Sequence, residues 1–329
     1  MSKNFTHTQF AHCESGVVSK LISDFGFKIS EPMIFGITST LTFAYLPIIK
    51  INNLPLIAYR SLPKNIINKI QKTLGITIYK KQYQDLLQAN LDLTRLVEIE
   101  QKLVGLQTSV FYLPYMPADM RFHFNAHNLL VYSKKDQNYK ISDPVFEEVV
   151  ECPEKDLTKA RFAKGAFAPK GFLYYPISIP KNIDLAPIIS KSIIKTAKSM
   201  TTKFPFAGVK GMRTLAKKIT KLQNKDERYV KNYLTHIVRM QEEIGTGGGG
   251  FRFLYAAFLQ EAAGYDLDKS KLEEASELMT KSGDVLREFA LKCVESSKKF
   301  EKFDAKLVAS ILVKASEVEE EAYKILKTI

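Results

Sequence analysis

Ala11-His12-Cys13-Glu14-Ser15-Gly16 runs directly into Val17-Val18-Ser19-Lys20-Leu21-Ile22-Ser23-Asp24-Phe25. After the cysteine, apolar residues stand at 17, 18, 21, 22 and 25, the stripe of a helix with one buried face. This spacing puts Cys13 at or just before the first turn. N–H groups there have no intrahelical acceptor, and the helix dipole is positive. Both favour a thiolate over a thiol, so a cysteine at this place can act as a nucleophile. The competing reading is a small residue buried at a helix start, and a lone cysteine does not choose between the two.

Residues 109–146 supply the partners. Residues 109–113 read as a strand closed by Pro114 and Pro117. Residues 122–132 read as a strand containing His127, residues 134–137 as a turn, and 139–142 as the return strand, ending at Asp143-Pro144. With the turn centred near 135–136, Asp143 falls within about a residue of facing His127 across the hairpin. Thiol, imidazole and carboxylate suit thiol catalysis: the imidazole takes the proton from sulfur, and the carboxylate orients the imidazole and stabilises its cation. His123 shares the strand parity of His127 and is the competing base. His12 is bonded into the turn of Cys13 and is expected to point away.

The chain has 329 residues, 45% hydrophobic and 25% charged, enough for a sizeable core and two domains, read as 1–180 and 181–329. No apolar run approaches the ~18–20 residues of a membrane span, and the polar start has no secretory signal. Cys13, Cys152 and Cys293 are odd in number and far apart. That favours reduced thiols in a cytoplasm over a disulfide framework, and none has metal-ligand spacing, so no metal is expected. Other strands are read at 38–45 (ended by Pro47), 48–51, 54–59 and 76–79. Helices are read at 66–74, 83–106, 186–200, 209–223 and 251–263, with two or three more from 272 to 329.

Charge is unevenly placed. Residues 1–180 carry 21 basic and 15 acidic residues, 181–240 carry 14 and 3, and 241–329 carry 13 and 17, within a net charge of +13. Lys191, Lys195 and Lys198 lie on one helix, and Lys210, Arg213, Lys217, Lys218 and Lys221 on the next, each largely opposite the apolar stripe. Such a face is either simply solvated or docks an anionic partner. No nucleic-acid motif or base-stacking platform accompanies it, and an anionic membrane is the lesser alternative. Gly245–Gly250 opens the helix at 251–263. It is not a P-loop, since no Gly-Lys-Ser or Gly-Lys-Thr follows.

His12-Cys13-Glu14-Ser15-Gly16, Ser30-Glu31-Pro32-Met33-Ile34-Phe35-Gly36 and Leu41-Thr42-Phe43-Ala44-Tyr45 resemble the N-terminal domain named for butirosin biosynthesis protein H. Phe111-Tyr112-Leu113-Pro114-Tyr115, Ala126-His127 and Ser142-Asp143-Pro144 are similar to its later part, so the resemblance covers roughly residues 10–180. Gly245–Arg252 with Leu254–Leu259 resembles the helical domain often fused to it. The resemblance implies an α+β fold: a papain-like domain of cysteine-peptidase type, followed by a mainly helical C-terminal domain. It implies acyl transfer from an acidic acyl carrier protein to a small-molecule amine in natural-product biosynthesis, with Cys13 as nucleophile, His127 as base and Asp143 as its orienter. A cysteine peptidase or an amide or thioester hydrolase would use the same three residues. The oxyanion would be held by the Cys13 N–H and a further donor, for which His7 and Gln9 are candidates. No bound cofactor is expected. The carrier's phosphopantetheine is the substrate arm, the basic helices are its docking surface, and Gly247, Gly248, Gly249 and Gly250 are candidates to meet that arm.

Overall fold

The computed structural model describes residues 5–51, 53–244 and 247–329. The chain begins with α1 (Cys13–Asp24), α2 (Glu31–Ile37), β1 (Leu41–Ile51), β2 (Leu54–Arg60), α3 (Asn65–Leu74), β3 (Thr77–Lys81) and α4 (Leu86–Thr94). Then come β4 (Val104–Thr108), β5 (His127–Lys135), β6 (Asn138–Ser142), β7 (Val150–Pro153), α5 (Glu154–Arg161) and β8 (Leu173–Ser178). Helices complete it: α6 (Leu185–Met200), α7 (Gly208–Thr220), α8 (Glu227–Val238), α9 (Arg252–Ala262), α10 (Lys269–Lys298) and α11 (Ala305–Leu326). The fold is α+β, with a mainly helical C-terminal part.

Two compact units result. One runs to Ile34 and resumes over Pro63–Ile183; the other comprises Phe35–Leu62 and Asp184–Ile329. The expected single cut at 180 therefore needs a correction. The β1–β2 hairpin leaves the N-terminal stretch and folds with the C-terminal helices, as the Tyr45 N–H to Phe206 C=O bond (2.9 Å) illustrates.

The first unit is built on one antiparallel sheet of order β3-β8-β4-β5-β6-β7. Val104, Leu106, Leu129, Val131, Ile141 and Leu173 pack with Leu93, Leu96 and Val97 in its core. Helix α1 lays Val18, Leu21 and Ile22 beside Ile78, Tyr174 and Pro176. The stripe that predicts the helix is thus the stripe that docks it, at about 1.5–3 kcal/mol per buried aliphatic side chain.

Local structure departs from expectation where burial is two-sided. Residues 104–106 are not the end of a helix. They open β4, whose five residues are all buried, and a continuous apolar run reads alike as helix or as two-sided strand. Residues 109–113 hold a short 3-10 turn, Val110–Tyr112, rather than a strand. Pro47 does not end a strand. It lies inside β1 where the pairing with β2 slips between Leu46 and Lys50, so its missing N–H costs no ladder bond.

In the second unit, Arg252 and Glu319 form an ion pair with both side chains fully buried, Nε to Oε1 at 2.9 Å and Nη2 to Oε2 at 3.1 Å. Ser282 and Tyr323 donate to the same carboxylate at 3.0 and 3.1 Å, and Arg252 Nη1 donates to the Gly250 C=O at 2.7 Å. The bonds tie α9, α10 and α11 together. Removing one charge strands the other in the interior, so Glu319→Gln is expected to cost about 3–5 kcal/mol in urea unfolding. A loss below about 1 kcal/mol would show that the pair does not pin these helices.

Candidate active site

Every residue of His12-Cys13-Glu14-Ser15-Gly16 has a separate task at the start of α1. His12 is the extended N-cap, and its Nδ1 accepts from the Ser15 N–H (3.4 Å). The buried Glu31 carboxylate takes the N–H groups of Ala11 (2.8 Å) and His12 (2.7 Å) and the Ser15 hydroxyl (2.9 Å). Burial raises the Glu31 pKa and these donors oppose the rise. The fully buried Glu14 turns the other way and accepts the N–H groups of Lys64 (3.1 Å), Ile66 (3.0 Å) and Ile67 (3.3 Å), capping α3. Gly16 has no side chain because Phe10 lies against it: a Cβ there would sit 2.5 Å from the Phe10 Cβ. Cys13, first residue of the helix, is held between two carboxylate anchors.

His127 opens β5, opposite Thr108 of β4, and is buried. Its Nε2–H donates to Asp143 Oδ2 at 2.8 Å, which leaves Nδ1 for the sulfur. Burial pushes the imidazolium pKa down. The charge and hydrogen bond of Asp143, with the hydrogen bond and charge of Cys13, outweigh that and raise it to about 10. Cys13 Sγ lies 4.0 Å from the Ala126 C=O, the residue before His127. Thiol, imidazole and carboxylate expected from the sequence therefore meet, although Cys13 and His127 stand 114 positions apart in the chain. The Asp143 side chain is fully buried, and its Oδ1 accepts the Val145 N–H at 3.2 Å. Tyr115, which sequence reasoning passed over, donates its hydroxyl to Asp143 Oδ2 at 2.9 Å.

Other expectations meet corrections. His123 is not on a strand with His127, because β5 begins only at His127. It is exposed and stacks on Phe111 at 4.1 Å, which removes it as the competing base. His7 is not free to serve an oxyanion: Nδ1 lies 2.7 Å from Ser142 Oγ, and Nε2 donates to the Phe146 C=O at 2.9 Å. With the Phe10 N–H to Pro144 C=O bond (2.9 Å), it straps the N-terminal segment to the loop of Asp143. Gln9 is exposed and makes a long 3.4 Å bond to the Val145 C=O.

Lys191, Lys195, Lys198, Lys210, Lys217 and Lys221 are exposed and Lys218 is partly so. Arg213 leaves the set, since it is engaged by Ser316 (3.0 Å) and Glu320 (2.7 Å) of α11. Of the glycine turn, Gly245 and Thr246 lie outside the described residues. Gly248, Gly249 and Gly250 have left-handed φ of +86°, +57° and +55°. A Cβ on Gly249 would lie 2.6 Å from Phe253, and on Gly250 2.4 Å from Tyr59. The Gly249 N–H already donates to the Glu242 carboxylate (3.0 Å). These glycines serve packing, and the anion the turn binds is the chain's own, which argues against a substrate cradle. Cys152 and Cys293 are buried, and burial raises both thiols, Cys152 to about 12.

A family model described as the N-terminal domain of butirosin biosynthesis protein H matches residues 12–144, and so spans Cys13, His127 and Asp143. A second, described as domain of unknown function DUF4872, matches residues 155–326. Among solved structures, a C39-like peptidase from Bacillus anthracis is similar over 54% of this chain and 96% of that chain, at 12% identity and a TM-score of 0.37. No curated protein matches the chain. Among the described residues, no helix is long and apolar enough to cross a membrane, and no group of His, Cys, Asp and Glu is arranged to hold a metal ion.

Proposed function

The chain belongs to the DUF4872 domain family and matches, over residues 12–144, the N-terminal domain of butirosin biosynthesis protein H, and on that premise we propose that it is a cysteine-dependent, amide-forming acyltransferase of natural-product biosynthesis. One observation carries the reading: Cys13 at the first turn of α1 is coupled to His127, and His127 is bonded to a buried Asp143.

The chemistry follows from those groups. Cys13 thiolate attacks the carbonyl of a carrier-bound thioester. The tetrahedral oxyanion is met by the Cys13 N–H at the positive end of α1. Collapse breaks the carrier's C–S bond, and the departing thiolate takes the proton from the His127 imidazolium. One thioester replaces another, so this exchange is nearly thermoneutral. An acceptor amine then attacks the Cys13 thioester, His127 removes its proton, and an amide leaves Cys13 as thiolate. Asp143 keeps the Nε2–H in place through both halves. The exposed lysines of α6 and α7 supply a positive face for an acidic acyl carrier protein, an attraction that weakens as salt rises. Phosphopantetheine enters as the arm of that substrate.

The test offers purified protein a simple acyl-thioester, with and without a primary amine. Mass spectrometry is expected to find the acyl group on Cys13, and amine addition to discharge it as amide faster than water does as acid. Acid as the main product with amine in excess would replace transfer by hydrolysis, the reading shared with the peptidases. No adduct on Cys13 would remove the enzyme reading altogether.

A further inference from the structure

Asp143 Oδ2 accepts two hydrogen bonds at once, from His127 Nε2–H at 2.8 Å and from Tyr115 Oη–H at 2.9 Å, while Oδ1 takes the Val145 N–H. We infer that Tyr115 is a positioning residue of the reactive triad: its hydroxyl fixes the direction of the carboxylate oxygen that holds His127 and draws off part of its charge. This rests on the reading of Cys13, His127 and Asp143 as the reacting groups.

The surroundings make that role specific. The Tyr115 ring stands edge-on to Phe146 at 5.5 Å, and the loop between Asp143 and Phe146 is also held by His7 and Phe10. The hydroxyl is thus the second donor on Oδ2, beside His127, of a carboxylate whose loop is already tied down. Burial raises the Tyr115 pKa well above its ordinary value, and the Asp143 charge adds to this, so the hydroxyl keeps its proton and stays a donor throughout the working range. Among the described residues, Cys13 acts on His127, Cys152 acts on the Tyr115 hydroxyl, and His7 packs on the Asp143 loop through Ser142 and Phe146.

A donor on Oδ2 competes with the imidazolium for the same negative charge. Removing it leaves more charge for His127 and less restraint on the carboxylate's orientation. The effect on the proton is therefore opposite in sign to removing the carboxylate itself. A tyrosine that merely filled space would move neither.

The test uses iodoacetamide alkylation of Cys13, followed by peptide mass against pH, which needs no acyl substrate. The upper inflection of this rate reports loss of the His127 proton. Tyr115→Phe is expected to move it upward by roughly half a pH unit or more, and to slow the acylation half-reaction about tenfold at unchanged KM. In an Asp143→Asn background the same change is expected to leave the inflection where it is, because the hydroxyl acts only through that carboxylate. Wild-type and Tyr115→Phe profiles that superimpose would overturn the inference and leave the triad standing. A shift that persists without Asp143 would overturn it too. A wild-type profile with no inflection attributable to His127 would overturn both this inference and the function it rests on.

Discussion

Cys13→Ala is expected to give a protein that melts as the wild type does and never carries an acyl group. The side chain is small and buried at the start of α1, and the bonds that hold this turn come from His12, Glu14, Ser15 and Glu31 rather than from sulfur. Stability should stay within about 1 kcal/mol. Activity should fall by roughly 10⁴-fold or more, since the exchange has no other route. Cys152 and Cys293 cannot stand in, because both are buried with raised thiol pKa values. Intact-mass measurement after exposure to an acyl-thioester, beside a thermal melt, checks both halves. Acyl transfer at the wild-type rate by this variant would end the mechanism.

Asp143→Asn is expected to keep the shape of the site and lose most of its rate, by about 10³–10⁴-fold. Its pH behaviour is more telling. In the folded chain the His127 pKa lies at about 10, against an ordinary value of 6.5. A group whose folded value is raised stabilises the fold fully below its unfolded value and loses that contribution as pH rises through the folded one. For His127 the window runs from 6.5 to about 10. Wild-type stability in urea should thus decline across this window, and the rate of acylation should fall at its upper end as the imidazolium disappears. The amide that replaces the carboxylate has no charge to oppose the downward push of burial. In the variant the alkaline limb should move to lower pH and the decline in stability should flatten. An alkaline limb in the same place in both proteins would mean that Asp143 does not set the protonation of His127.

The parts of this site that could be read from the chain alone are those whose cause is local. The Cys13 helix declares itself by apolar spacing. The hairpin bearing His127 and Asp143 declares itself by two β-prone runs around a polar turn, and Lys135 pairs with Asn138 across that turn. Helix α8 carries the same kind of local signal: Asp226 caps it, and Val230, Leu234 and Ile237 mark its buried face. Other elements gave an ambiguous signal. Val104–Thr108 is buried on both faces, and period cannot distinguish such a strand from the end of a helix.

By itself, then, the sequence determined that a cysteine would begin an amphipathic helix and that a histidine and an aspartate would share a β-ribbon. Only the tertiary structure decided that the ring and the sulfur meet, that Glu14 and Glu31 grip the turn between them, and that Tyr115 shares the Asp143 oxygen. It alone decided that His7 straps the Asp143 loop and that the β1–β2 hairpin belongs with the C-terminal helices. Helical and strand periodicity express forces between residues a few positions apart. Which distant donor satisfies a buried carboxylate is settled only when the whole chain has collapsed and each buried polar group must find a partner.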